Sequence, residues 1–404
     1  MTDTVEYLEA QQIEAKIADA MATIVVERPA DAAARLAQLL APAPPPTDKY
    51  LDTVGRTPLI QLSRLLPAEC KAKAVYVKME MQNPGGSIKD RIAKGIIEQA
   101  EASGKLKPGM TVVEATSGNT GIGLAMCCAA KGYGCVIVMP QVPPMMERYM
   151  IVRQFGAEVV LTAPAKGING CLKAYNDLVS SDPSKYFGAN QFKNEDNPNA
   201  HYATTGPEIW SQTSGEVDYF VHGIGTGGCL SGTGRYLKEQ KPSVKCVGIE
   251  PTNARVHVGA KPAPHTIVGI GAGIPTNFLG LPKDDDGNTI ALSEEMPVEG
   301  SVDEWAHATP EEAIEYAGKA ARLEGMMVGP SAGAALKVAL EIACRDEAEG
   351  KTIVAILASH GIRYVAHPMW GAIKAEAAAA LPVPPNMDKE AEVVQWKSSE
   401  YSPK

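Results

Sequence analysis

Lys89 stands at the start of a segment that combines a turn with a helical pattern. The turn is PGG at 84–86, and the segment SIKDRIAKGIIEQAEASG places isoleucines at helical spacing. We expect Ser87 to cap this helix and Asp90 to be its capping-box partner. Lys89 then lies in the first turn, where the helix dipole and Arg91 both disfavour another positive charge. A neutral lysine amine forms Schiff bases, but an ordinary surface lysine at a helix start has the same spacing.

A second segment, EATSGNTGIGLAMCCAA, joins a predicted strand (111–116) to a helix through Ser117, Asn119 and Thr120. Backbone N–H groups and hydroxyls at a helix N-terminus bind anions. This turn would therefore suit a substrate carboxylate. A capped turn between a strand and a helix, without any ligand, has the same pattern.

A third segment, VHGIGTGGCLSGTGRYLKE, matches G-x-G-x-x-G at Gly223, Gly225 and Gly228, after a strand and before a helix. Such a loop cradles a phosphate but does not identify the molecule that carries it. Glu250 ends the next strand, near the position of the ribose-binding acid in dinucleotide folds. A nicotinamide-dependent dehydrogenase is therefore one alternative.

A fourth segment, GMMVGPSAGAALKVAL, places Ser331 between a short apolar strand and a helix. By itself this serine is typical of a helix N-cap.

The elements that must position these residues alternate along the chain. Seven apolar runs, interleaved with helix-length segments, predict an α/β fold with mostly parallel strands and helices on both faces. The runs are AVYVKME, TVVEAT, CVIVMP, AEVVLT, DYFVHGIG, KCVGIE and TIVAILAS. Residues 1–40 are expected to form either a helical appendage similar to short docking and dimerisation hairpins or a frayed tail. Residues 41–48 would be a proline-rich linker, 49–375 a catalytic body and 376–404 a peripheral tail.

Composition excludes several classes of protein. The chain has 404 residues, and its formal net charge of -9 argues against nucleic-acid binding. No apolar run is long enough for a membrane span, and the acidic N-terminus lacks the character of a leader peptide. The eight cysteines contain no C-x-x-C pair, so no metal site is expected. A cytoplasmic enzyme with free thiols is predicted, and import into an organelle is the alternative.

In this order, the segments resemble the cysteine synthase (O-acetylserine sulfhydrylase) family, a relative of cystathionine β-synthase among the fold-type II pyridoxal-phosphate enzymes. The likeness covers roughly residues 50–370. It implies a tryptophan-synthase-β-like fold of two three-layer α/β/α domains with pyridoxal 5'-phosphate in the cleft. The smaller domain would span roughly 85–195, and the larger 49–84 plus 196–375. The matching segments are VGRTPLIQLSRL, NPGGSIKDRI, EATSGNTGIGLA, HYATTGPEIW, GIGTGG, VGIEP, KPAPHTIVGIGAG, VGPSAGAA and SHGIRY.

The resemblance also assigns roles. It makes Lys89 the catalytic residue and the Schiff-base lysine, and it places Ser331 at the pyridine nitrogen and Asn119 at the ring hydroxyl. It places Gly271 beside the entrance. The cofactor phosphate would be held by Gly225, Thr226, Gly227, Gly228 and Cys229. The substrate carboxylate would be held by Thr116, Ser117, Asn119, Thr120 and Gln191.

Cys229 departs from the family, which has threonine or serine at this position. A thiol is a weaker hydrogen-bond donor than a hydroxyl. We therefore expect either weaker cofactor binding or compensation by another group.

The implied reaction is β-replacement that makes L-cysteine from O-acetyl-L-serine and sulfide, with ping-pong kinetics. β-Cyanoalanine synthase and cystathionine β-synthase-type activity are alternatives, and a serine or threonine dehydratase is less favoured. The resemblance further implies a homodimer and a serine acetyltransferase partner. A non-enzymatic scaffold is the remaining alternative, and the presence of Lys89, Asn119, Gln191 and Ser331 argues against it.

Overall fold

A computed structural model describes residues 13–27, 36, 49–142 and 146–380. The chain divides into two units, residues 1–50 and 51–404. In the first unit, helix α1 spans Ile13–Glu27. The predicted linker at 41–48 lies outside the described residues, as do residues 381–404 of the predicted tail. The proposed division of the chain into appendage, linker, body and tail stays a prediction.

The larger of two sheets in the second unit has six strands in the order β1-β2-β10-β7-β8-β9. All neighbouring strands are parallel except β1, which pairs antiparallel with β2 at the edge. The sequence did not indicate β1 or β9. The strands are β1 Leu59–Gln61, β2 Ala74–Lys78, β7 Tyr219–Gly223, β8 Lys245–Pro251, β9 Glu304–Ala308 and β10 Thr352–Ile356.

The smaller sheet has four parallel strands in the order β5-β4-β3-β6. Its edge strand β6 is short, and the sequence did not indicate it. The strands are β3 Thr111–Ala115, β4 Gly134–Pro140, β5 Glu158–Thr162 and β6 Tyr186–Gly188.

Helices connect the strands and cover the sheets, as parallel strands require. The predicted α/β fold with mostly parallel strands is confirmed. In the described part of the chain, no helix has the length and apolar character needed to cross a membrane. The helices after α1 are α2 Lys89–Ala102, α3 Asn119–Lys131, α4 Met146–Gln154, α5 Gly167–Ser181, α6 Asp196–Ala203, α7 Thr205–Gln212, α8 Gly228–Gln240, α9 Pro310–Glu324, α10 Pro330–Ala343 and α11 Gly371–Ala380.

The carboxyl ends of the central strands lead into the segments singled out from the sequence. Strand β3 ends at Ala115 before the turn at 116–118, and β7 ends at Gly223 before the glycine loop. Helices α3 and α8 begin directly after these turns. In open α/β sheets, ligands bind at this edge.

Candidate active site

A cavity of roughly 480 Å³ joins the candidate residues. Four of those predicted, Gly227, Gly228, Cys229 and Gly271, are not among its lining residues. The predicted residues that do line it are Lys89, Thr116, Ser117, Asn119, Thr120, Gln191, Gly225, Thr226 and Ser331.

Lys89 is the first residue of α2, and its side chain is partly buried at the cavity. Burial lowers the pKa of its amine. The lowered pKa agrees with the prediction, but Arg91 is not its cause. The helix begins two residues after Ser87, whose hydroxyl accepts a hydrogen bond from the Lys89 N–H at 3.2 Å.

Arg91 points away from the amine, into a buried ionic cluster. Its Nε donates to Glu80 Oε2 and its Nη2 to Glu208 Oε2, both at 2.7 Å. Lys78 Nζ also binds Glu208 Oε2 at 2.7 Å. Burial opposes these charges, but the two carboxylates outweigh it and raise the pKa of Arg91. The cluster therefore fixes the first turn of α2 against β2 and α7.

Asp90 is not the expected capping-box partner of Ser87, because the N-cap of α2 is Ile88 and no side chain caps this helix. Its Oδ2 instead accepts the Gly85 N–H at 2.7 Å, which holds the PGG turn against the helix. Its Oδ1 is buried without a hydrogen-bond partner among the described residues. Burial raises the pKa of this carboxyl group to about 7.

Arg363 connects this turn to Asn119. It donates to the Gly85 carbonyl oxygen and, through Nη1, to Asn119 Oδ1 at 2.9 Å. The Asn119 amide donates to the Tyr364 hydroxyl at 3.2 Å. Sequence reasoning gave Arg363 and Tyr364 no role, although both belong to the matched segment SHGIRY. They orient the side chain that the resemblance places at the cofactor ring.

The turn at 116–120 is held by its own hydroxyls. Thr116 Oγ1 accepts the Gly118 N–H at 3.1 Å, and Gly118 is the N-cap of α3. Thr120 Oγ1 donates to Gln191 Oε1 at 2.6 Å. Ser117 lies between them on the cavity surface. The two segments predicted to bind one carboxylate therefore do lie together.

The glycine loop needs its glycines for physical reasons. Gly227 has φ +82°, which L side chains rarely adopt. A Cβ on Gly225 would lie 2.5 Å from the Gly269 carbonyl oxygen. Thr226 Oγ1 accepts a hydrogen bond from Asn197 Nδ2 at 3.0 Å. Gly225 and Thr226 line the cavity just before α8 begins, a position that suits an anion.

Cys229 lies in the first turn of α8, and its thiol is directed to its own helix. Its Sγ lies 3.9 Å from Thr233 Oγ1. Burial raises the pKa of the thiol to about 12. The thiol therefore stays protonated at neutral pH.

Ser331 is the second residue of α10, and the N-cap is Gly329, so the serine is not the cap. Its buried side chain lines the cavity instead. Gly271 has φ +63°, and its carbonyl oxygen accepts a hydrogen bond from His265 Nε2 at 3.0 Å. Its neighbours Ile270 and Ala272 line the cavity.

His222 is a cavity residue that the sequence reasoning missed. It lies inside the quoted segment VHGIGTGG, one residue before the first glycine. Burial, reinforced by the nearby Lys89, lowers the pKa of its ring to about 3. A buried histidine in an apolar strand next to a phosphate-type loop was the signal available in the sequence.

Glu250 does not support the dehydrogenase alternative. Its carboxylate is buried and binds His257 Nδ1 at 2.7 Å, and it does not line the cavity. A ribose-binding acid must face its ligand. Among the residues that the structure describes, no three side chains are placed to hold a metal ion.

Comparison with known proteins supports this picture. Residues 50–359 match the family model described as "Pyridoxal-phosphate dependent enzyme". A cysteine synthase of Staphylococcus aureus (strain Mu50 / ATCC 700699) is 41% identical over 326 residues, which cover 80% of this chain and 97% of the relative.

Solved structures give the same result. A cysteine synthase (OASS) from Entamoeba histolytica superposes with TM-score 0.73 at 38% identity, covering 82% of this chain and 93% of that one. An O-acetylserine dependent cystathionine beta-synthase from Helicobacter pylori superposes with TM-score 0.70 at 32% identity, covering 80% and 99%.

Proposed function

Since the chain belongs to the pyridoxal-phosphate dependent enzyme family, we propose that it makes L-cysteine from O-acetyl-L-serine and sulfide. One observation carries the proposal. The Lys89 amine, whose pKa is lowered, lines the same cavity as residues 225–226 of the glycine loop and the Ser331 side chain. The Staphylococcus aureus relative named cysteine synthase is 41% identical over 97% of its own length, which supports the proposal.

The residues present fit the cofactor. Lys89 would hold it covalently through its amine, and the loop 225–228 would bind its phosphate through backbone N–H groups. Asn119 would meet the ring hydroxyl, and Ser331 the pyridine nitrogen. When bound, pyridoxal phosphate withdraws electrons from the α-carbon of the substrate. Gly225 lines the cavity and admits no Cβ, which supports this fit.

The substrate carboxylate would bind at the turn 116–120, where backbone N–H groups and hydroxyls face the cavity. Thr120 and Gln191 are already joined by a 2.6 Å hydrogen bond, so a carboxylate arriving there would meet two fixed groups. This fixes the orientation of the α-carbon before reaction, which lowers the entropic part of the barrier.

Lys89 would also move the proton of the α-carbon. A base must be uncharged to accept a proton, and burial already favours the neutral amine. The same amine would return the proton after sulfide has replaced the acetoxy group. Cavity walls that are largely apolar would keep competing water away from the reacting carbon.

A second nucleophile is supported by one observation. The Helicobacter pylori relative is named as an O-acetylserine dependent cystathionine β-synthase. A thiol larger than sulfide, such as homocysteine, is therefore the second candidate, with cyanide as a third. Each would use the same residues up to the step at which the nucleophile adds.

The test is a substrate panel on purified protein with added cofactor. O-acetylserine, O-phosphoserine and serine are each combined with sulfide, cyanide and homocysteine, and the product is identified by mass spectrometry. Cysteine from O-acetylserine and sulfide should form fastest. Borohydride reduction followed by peptide mapping should place the cofactor on Lys89, with Lys94→Ala on the same helix as the matched control. No turnover in any combination would favour the scaffold alternative.

The resemblance also supports a cytoplasmic homodimer that serine acetyltransferase can bind. Light scattering of the purified chain should give twice the mass of 42.7 kDa. Titration with a serine acetyltransferase C-terminal peptide should compete with O-acetylserine. A monomer, or a peptide without effect, would contradict these two points separately.

A further inference from the structure

His222 is a polar residue in an apolar layer. Side chains alternate along a strand, so His222 shares one face of β7 with Phe220 and Ile224. Both belong to a buried cluster that also contains Ile88, the residue before Lys89. On this face of the strand, the imidazole therefore lies among apolar side chains.

The ring has no partner to justify that position. Only 7% of the residue is exposed, and its Nδ1 is buried without a hydrogen-bond partner among the described residues. A buried polar atom left unpaired costs about 1–3 kcal/mol. A role in catalysis is one recognised reason for such an unpaired atom.

The neighbours of the ring identify that partner. Lys89 lines the same cavity and is close enough for its charge to act on His222. His201 of α6 is nearby as well, but its Nδ1 is already bonded to Thr205 Oγ1 at 2.9 Å. The Cys229 thiol is held protonated by burial and turned toward Thr233. Of these groups, only the Lys89 amine moves between a bound and a released form.

We propose that His222 accepts a hydrogen bond from the Lys89 amine when that amine is released from the cofactor, and so holds it beside the substrate. The neutral ring offers one lone pair, and an amine donates to it whether neutral or charged. His222 is therefore a positioning residue that acts through Lys89. This inference rests on the proposed role of Lys89.

The first test uses apoprotein, because there the Lys89 amine is free. Stopped-flow absorbance after addition of pyridoxal phosphate measures the rate of cofactor capture, and its dependence on pH reports the pKa of Lys89. Loss of the acceptor disfavours the ammonium form. His222→Val should therefore shift the midpoint to lower pH by about one unit. His222→Asn, which keeps an acceptor oxygen, should stay near the parent protein.

Phe220→Leu is the matched control, since it disturbs the same strand face without removing an acceptor. His222→Ala carries the same test if the valine variant does not fold. A midpoint unchanged in His222→Val or His222→Ala, or shifted equally by Phe220→Leu, would overturn the proposal.

A second readout follows the loaded enzyme. His222→Val should lower the rate of acetate release from O-acetylserine about tenfold, with little change in KM. If the parent protein carries its cofactor on another lysine, the proposed function fails. If it carries it on Lys89 and the midpoint does not move, only the role of His222 fails.

Discussion

Two basic side chains of helix α2, Lys89 and Arg91, are separated by one residue and have opposite surroundings. Lys89 faces the cavity, and among the described residues no carboxylate pairs with its amine. Arg91 lies in the ionic cluster with Glu80 and Glu208. Burial lowers the pKa of the lysine, whereas the two carboxylates raise that of the arginine.

The comparison shows that partners, rather than the helix start, decide the charge of each side chain. Burial penalises any charge, and only a paired charge is retained under it. Because Arg91 holds the start of α2 through Glu80 and Glu208, Lys89 is not needed for that purpose. A reactive amine and its rigid support are thus separated by a single residue.

The largest expected effect comes from the cavity side. Lys89→Ala should lower cysteine-forming turnover by at least about 10⁴-fold, because one amine would both hold the cofactor and move the proton. Initial rates with O-acetylserine and sulfide measure it. The unfolding midpoint of the apoprotein should stay close to that of the parent. If the variant still bound the cofactor covalently and kept its turnover, Lys89 would not be the reactive amine.

The next effect comes from the ionic side. Arg91→Met leaves the Glu80 carboxylate buried without its main partner, which should destabilise the apoprotein by about 3–5 kcal/mol in urea unfolding. Lys173→Met is the control, since it breaks an exposed pair with Asp177 and should cost less than about 1 kcal/mol. Equal losses of unfolding free energy in both variants would mean that burial of the ionic cluster does not increase the cost of breaking its ion pairs.

Glu114 is a third buried ionisable residue, and it extends the comparison to a carboxyl group. Glu114 accepts the Gln191 and Ala115 N–H groups at 3.0 Å, and burial raises its pKa to about 7. Between pH 4.5 and 7 the folded state keeps a proton that the unfolded state loses, so stability falls as the pH rises.

Glu114→Gln should remove the part of this fall that Glu114 causes, while the part caused by Asp90, whose pKa is also raised to about 7, remains. Between pH 4 and pH 8 the free energy of unfolding of the parent should fall by about 3 kcal/mol more than that of the variant, measured by urea unfolding. Glu98→Gln, an exposed position on α2, should leave the slope unchanged. A parent protein whose stability rises over this window would show that hydrogen bonds to the Glu114 carboxylate outweigh its burial.

The smallest effect tests what a new carboxylate does inside the cavity. If Ser331 meets the pyridine nitrogen as proposed, its hydroxyl would hold no proton there, and the ring would withdraw electrons mildly, which suits loss of a β-leaving group. Ser331→Asp should lower cysteine-forming turnover about tenfold to a hundredfold. The absorption band of the lysine-bound cofactor would verify loading. Full turnover in the loaded variant would refute this role of the hydroxyl.

Sequence patterns predicted seven of the ten strands because these are apolar runs of the length that buried parallel strands need. They missed β1, β6 and β9, because β1 and β6 have only three residues and β9 (EWAHA) alternates weakly. Pairing with neighbours, rather than local composition, forms these strands.

Most of the candidate site was predictable, since the glycine loop and the 116–120 turn follow strand ends. The contacts of Arg91 and Arg363 were not predictable from local sequence. Arg91 is satisfied by Glu80 and Glu208, and Arg363 by Gly85 and Asn119, across separations of up to 278 residues. Patterns of neighbouring residues contain no information about such partners.

The strand order has a consequence for how the protein is made. The smaller sheet draws its strands from residues 111–188 in one stretch, whereas β10 must enter the larger sheet between β2 and β7. On the ribosome, the smaller sheet can close while synthesis continues. The larger sheet lacks its strand between β2 and β7 until residue 356 has emerged. Cofactor uptake should therefore follow chain completion, and nascent chains halted before β10 should capture none.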